Sequence, residues 1–230
     1  MKTMMRVCGI ALTILASANT FAGQYEIDQI ERAAGKLDMS ELKTIAEQVQ
    51  GYDQALAYYR LALSSNLSGE SDPAIKWNDK AISLLEALEE AQPNDAEIKA
   101  LLAQVYGYKI ALQPIKGMFY GSKSNAMLAD AEALSPNNPR AHLVKGIAKL
   151  NTPAIFGGSL SEATEAFNKA ILAYEFDVNS NYHWGFAEAY TWRGLVKMQS
   201  GELAQAKEDW QLALNINPDY GWAKTLLSQN

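Results

Sequence analysis

Between Tyr190 and Pro218 the chain sets an aromatic residue, then a small residue four positions on, Gly194, and twelve positions later Ala206, followed by Trp210, Ala213 and Pro218. Small residues at this spacing let two antiparallel helices approach closely. Trp210 fills the gap between them, and Pro218, which has no amide proton to give, ends the second. The same order recurs upstream. Tyr58, Leu61 and Ala62 open a unit that Ala81, Leu85, Leu88 and Pro93 close. Lys99, Leu102, Ala103 and Tyr106 open the next, closed by Ser124, Leu128, Ala131 and Pro136. His142, Lys145 and Gly146 open a third, closed by Ala163, Phe167 and Ala170. A helix pair of this kind carries an apolar face that only a neighbour can cover, so its stability has to come from stacking. No segment sustains period-2 alternation, so no sheet is expected.

A stack needs closing at its ends. Residues 23–51 contain Ile27, Ile30, Leu37, Leu42, Ile45 and Val49, and are expected to form one or two helices, broken near Gly35, that cap the start of an array over 52–230. Gly221 to Asn230, with Trp222, Leu226 and Leu227, is expected to be a short amphipathic helix covering the last pair.

The Tyr190–Pro218 order resembles the tetratricopeptide repeat, and the three upstream units resemble it with departures. The third unit lacks the closing proline, Lys145 and Arg193 stand where an apolar residue is usual, and insertions lengthen the earlier units. The resemblance implies an all-α solenoid of about four helical hairpins whose first helices line a concave surface. Helical spacing then maps Tyr59, Leu63, Asn66, Gln104, Tyr108, Leu143, Ile147, Asn151, Glu188, Thr191 and Leu195 onto that surface, as a mixed apolar and amide groove for a peptide or a partner helix. Members that bind chaperone tails hold a terminal carboxylate with lysine and asparagine. Tyr59 and Leu63 occupy the corresponding face here, which argues against that role.

Two insertions look alike: Pro114-Ile-Lys-Gly-Met-Phe-Tyr-Gly-Ser122 and Pro153-Ala-Ile-Phe-Gly-Gly-Ser159. Each fits a mechanical role, in which proline stops a helix, Phe119 or Phe156 plugs the hairpin end, and Ser159 with Glu162 forms a capping box. Each also fits a ligand loop, with Phe119, Tyr120, Phe156, Gly157 and Gly158 as candidates. The segment between the third and fourth units holds Tyr182, His183, Trp184 and Phe186, which either pack back or form an aromatic recognition patch. The Pro-x-x-Phe-Gly-Gly turn resembles exported bacterial repeat proteins, and the array resembles periplasmic repeat proteins associated with TRAP-type solute transporters, though without their lipid-bearing cysteine.

Residues 1–22 read as a secretory signal peptide. Lys2 and Arg6 precede an apolar run, Val7 to Ala18, too short to cross roughly 30 Å of hydrocarbon, and Thr20 and Ala22 invite cleavage before Gly23, with Ala18 as the competing site. Cys8, the single cysteine, falls inside this signal, so the processed chain has no thiol for a disulfide or a thiolate metal site. Loss of Lys2 and Arg6 moves the net charge from −6 to −8. An acidic body without a basic cluster argues against nucleic acid and anionic lipid as partners. No phosphate loop, metal-ligand spacing or nucleophile–base pair stands out; His142 and His183 are too isolated for zinc. The expectation is therefore a non-catalytic protein of the bacterial periplasm, without cofactor or metal, that binds a protein or peptide partner. The alternative is a soluble small-ligand carrier serving a TRAP-type or similar transporter.

Overall fold

The structure, a computed structural model, describes residues 23–177 and 182–230. The expected signal, Cys8 and part of the connection before the fourth unit lie outside the described residues.

Eleven α-helices follow in chain order among these residues, with no strand. They are α1 (Gln24–Gly35), α2 (Met39–Gln48), α3 (Gly51–Leu67), α4 (Ser71–Ala91), α5 (Ala96–Leu112), α6 (Gly117–Leu134), α7 (Pro139–Asn151), α8 (Leu160–Glu175), α9 (Phe186–Gln199), α10 (Leu203–Ile216) and α11 (Gly221–Gln229). Four hairpins, α3–α4, α5–α6, α7–α8 and α9–α10, stack in sequence order. Helix starts follow local chemistry. Asp95 accepts hydrogen bonds from the amides of Glu97 and Ile98, and Asn138 caps α7 in the same way, with Pro139 at its first position.

The spacing that defines the units acts through close approach. A Cβ added at Gly146 would stand within the ring of Phe167, and one at Gly194 would strike the indole of Trp210. Both rings are fully buried. The first helices form the inner layer: α5 buries eleven of its 17 residues and α6 only three of 18.

Two expectations are corrected. The insertion expected to lengthen the first unit forms no separate loop, because the extra residues extend α3 and α4 to 17 and 21 residues around a tight turn at Gly69. In the second unit the segment after Pro114 is helical: one 3-10 turn, Pro114–Lys116, leads directly into α6 at Gly117.

The N-terminal residues do more than cap the first hairpin. α2 packs on α3, and α1 packs on both α2 and α3 while its two ends reach the last unit. The Gln24 side chain is hydrogen-bonded to both backbone groups of His183, just before α9, at 2.8 and 3.0 Å. At the other end of α1, Gly35 abuts Asp219 and Tyr220, just before α11. Ile27, Ile30 and Ala33, one face of α1, are fully buried. The array curls far enough for its first hairpin to meet its last: Trp184 Nε1 donates to Tyr52 Oη at 2.8 Å, and Arg60 reaches Glu188 at 2.9 Å.

Candidate functional site

The concave face is built from α3, α5, α7 and α9, and α1 bridges its two ends, packing on α3 and reaching the segment before α9. Arg60 of α3 sits at its centre, with Nε 2.7 Å from Glu31 of α1 and Nη2 2.9 Å from Glu188 of α9. Its guanidinium also lies 5.3 and 5.4 Å from the rings of Tyr59 and Trp184. Burial alone would lower the Arg60 pKa, but Glu31 and Glu188 outweigh it and hold the cation charged. Burial pushes the Glu31 carboxyl up from its ordinary value, against the pull of Arg60. Such a buried triad orients α1 more than it stabilises it, since desolvation offsets much of the attraction.

The groove residues expected from helical spacing divide in two. Tyr59, Gln104, Leu143, Glu188 and Thr191 are buried, and their polar atoms are engaged inside the chain. Gln104 donates to Tyr59 Oη at 2.6 Å, and Thr191 Oγ1 donates to the carbonyl of Ala187 at 2.8 Å. These five are closed to a partner in this structure, because they are buried within the chain. Leu63, Tyr108, Ile147 and Leu195 are partly covered, and only Asn66 and Asn151 are exposed. Asn151 donates back to Ile147 O at 2.8 Å. The open groove is thus reduced to the far ends of the inner helices. The sequence pattern could not reveal this, because Ile27, Ile30 and Ala33 form the same stripe on an end cap as on a groove-filling helix.

The two similar insertions lie at consecutive hairpin tips, on one edge of the array. Neither phenylalanine plugs its hairpin. Phe119 is 57% exposed and Phe156 75%, and they stand with Ile115 (90%), Met118 (98%) and Ile155 (85%). Pro114 begins one 3-10 turn and Pro153 immediately precedes another, Ala154–Phe156; Ile115, Ile155 and Phe156 lie in these turns, and Met118 and Phe119 in the first turn of α6. Gly157 then takes a left-handed conformation, φ 96°, before Ser159 caps α8. Ser159 accepts from the Glu162 amide at 3.2 Å, but the Glu162 carboxylate turns to Lys149 and leaves the capping box half made. Tyr120, partly covered, packs on Tyr106 and Phe119, and Lys123 lies 4.9 Å over the Phe119 ring. Gly158 is partly covered, and Gly157 is exposed.

The third group of candidates packs inward. Trp184 is buried, Tyr182 sits edge-on to Tyr52 at 4.6 Å, and Phe186 stacks between Tyr174 and Tyr190 at 5.1 and 5.6 Å. His183 is exposed, its Nε2 3.6 Å from Asp177. Nearby Arg140, fully buried, pairs with Glu97 and Asp177 and holds this connection against the second unit. Among the described residues no group of three His, Cys, Asp or Glu is placed to hold a metal, and no helix is long and apolar enough to cross a membrane.

Comparison with known proteins agrees with this architecture. Residues 187–220, which are α9, α10 and their flanking turns, match the tetratricopeptide repeat family model. No curated protein matches the sequence. Among solved structures, the chain is similar to TTC0263, a tetratricopeptide-repeat protein of Thermus thermophilus. The TM-score is 0.53 and the identity 18%, over 90% of this chain and 95% of that one. It is also similar to the HusA haemophore of Porphyromonas gingivalis, with a TM-score of 0.56 and 26% identity, over 76% of this chain and 94% of that one. Residues 187–220 thus carry a tetratricopeptide repeat, and the chain as a whole has the fold of a tetratricopeptide-repeat array.

Proposed function

We propose that the protein is an exported, non-catalytic interaction scaffold that grips a protein partner along its hairpin-tip edge. The observation that supports this reading is the exposure of Ile115, Met118, Phe119, Ile155 and Phe156 on consecutive tips, while Tyr59, Gln104, Leu143, Glu188 and Thr191 of the inner helices are buried. Large apolar side chains left in water at neighbouring sites mark interaction surfaces, and aromatic residues are favoured anchors within them. The periplasm is the proposed location, from the charged start and short apolar run of residues 1–22.

The test places a photoreactive residue at Phe119 or Phe156 in cells producing the protein. Both positions should trap the same protein. Ile115→Asp with Ile155→Asp should abolish the adduct while leaving the melting temperature within about 2 °C, as surface changes do. Different proteins or none at the two positions would contradict the reading.

A second reading has one specific support, the likeness to a protein named as a haemophore. Here the same tip edge would offer its apolar side chains to a porphyrin face. Haem titration decides it: a shifted absorption band lost in Phe119→Asp and Phe156→Asp supports a small-ligand carrier, and an unshifted band excludes haem.

A further inference from the structure

Asp53 stands in the first turn of α3 and is only 3% exposed. Its Oδ1 has no hydrogen-bond partner, and its carboxylate accepts one bond from the backbone N–H of Gly23. The other charged side chain facing it is also an acid: Glu26 of α1 raises the Asp53 pKa by repulsion. Glu26 itself folds back on Gly23 so closely that any Cβ there would collide with its Oε2. Two carboxylates therefore lie against Gly23, and only one of them, that of Asp53, accepts from its neutral amide. A buried carboxylate so poorly compensated is costly. Burial first, and Glu26 second, push its pKa to about 7, with the Gly23 amide pulling against them.

What this place lacks is a cation, and the chain can make one there. Hydrolysis of the Ala22–Gly23 peptide bond by a signal peptidase adds the hydroxyl of water to the Ala22 carbonyl. The freed Gly23 amine takes the remaining hydrogen and, below its pKa, one further proton. A group with one N–H becomes an ammonium with three donors, at the position the two acids already face. We propose that Asp53 and Glu26 form the receptor for the α-ammonium released at Gly23 by signal removal, and that this latch fastens α1 across the concave face. The latch rests on the export reading given above. It also gives Gly23 a reason to be glycine, since a side chain would keep Glu26 away.

The latch predicts a pH dependence that differs between processed and extended chains. In an extended chain the folded pKa of Asp53 lies above its ordinary value of 3.8, so folding holds the proton and stability falls as pH rises from about 4 through about 7. The groups facing Asp53 are Glu26 of α1, the Gly23 amide and, from the segment before α9, the phenol of Tyr182. In the processed chain the ammonium compensates both acids. Its stabilisation persists past neutrality and is lost only when the amine deprotonates, above the ordinary α-amino range of about 8.

The experiment compares a chain beginning at Gly23, which contains every described helix, with one carrying two alanines before Gly23. Each is made with and without Asp53→Asn. At pH 7.5 the Gly23 form should melt about 4 °C or more above the extended form, and the gap should close in Asp53→Asn. An amine-reactive reagent at pH 7 should label the Gly23 amine roughly tenfold more slowly than the same amine in Asp53→Asn, matching a pKa raised by about one unit. If Asp53→Asn does not fold, the gap between the two starts and its pH profile still decide the matter. Equal melting of the two starts would overturn the latch. Intact mass of the exported protein tests the processing separately: a start at Gly23 supports it, and a start at Asn19 removes the cleavage step.

Discussion

Gly194 and Trp210 show how a single residue type fixes this fold. The glycine is not needed for an unusual backbone angle, since it lies within the regular helix α9; it is needed because the indole of Trp210 and the carbonyl of Ala206 occupy the space of a Cβ. Gly194→Leu should therefore lower stability by about 1–3 kcal/mol through overpacking, whereas Gly121→Leu on the open face of α6, where nothing lies within 4 Å of the added Cβ, should leave it nearly unchanged. Chemical denaturation of the two variants checks the contrast. This part of the molecule is legible in the sequence, because a close approach demands a small residue at a fixed offset from a large one. The burial of Glu188 and Tyr59 is not legible, because their partners Arg60 and Gln104 lie far away in the chain and carry no local signal. The outward aim of Phe119 and Phe156 is hidden for a different reason: an aromatic ring in a turn that follows proline can be directed to either side, and the local sequence does not say which.

At the scale of the element, α1 separates what pattern reveals from what packing decides. Its apolar stripe announces an amphipathic helix, and its stop near Gly35 follows from the turn to α2. The surface it covers depends on how tightly four hairpins curl, a property of the stack. Ile30, fully buried at the middle of α1, should cost about 2–5 kcal/mol when cut to alanine. Hydrogen exchange should then speed up in α1, at Tyr59 and Arg60 of α3, and at Glu188 and Thr191 of α9. Faster exchange confined to α1 and α2 would mean that α1 is only an end cap. Segment 182–186 behaves in the same way: its rings look like a free patch in the sequence, but Tyr52 supplies both a ring for Tyr182 and a hydroxyl for Trp184.

For the whole molecule, the stack has become nearly closed on its inner side. An ordinary repeat array contacts only its neighbours along the chain, so its ends are independent. Here the Arg60–Glu188 and Trp184–Tyr52 contacts join the first hairpin to the last, and α1 spans both. The outer tips, with Ile115, Met118 and Phe156 exposed, are the surface that the proposed partner would use. The most direct measurement is a cysteine pair, Gly35→Cys with Tyr220→Cys, in a chain made to begin at Gly23, which has no other cysteine. A Cβ at Gly35 stands 3.8 Å from the Cα of Tyr220, within reach of a disulfide. Under mild oxidation the pair should close within one molecule, read by mass and by thiol titration. Thiols that stay free, or that link only between molecules, would show that the first helix does not reach the last unit.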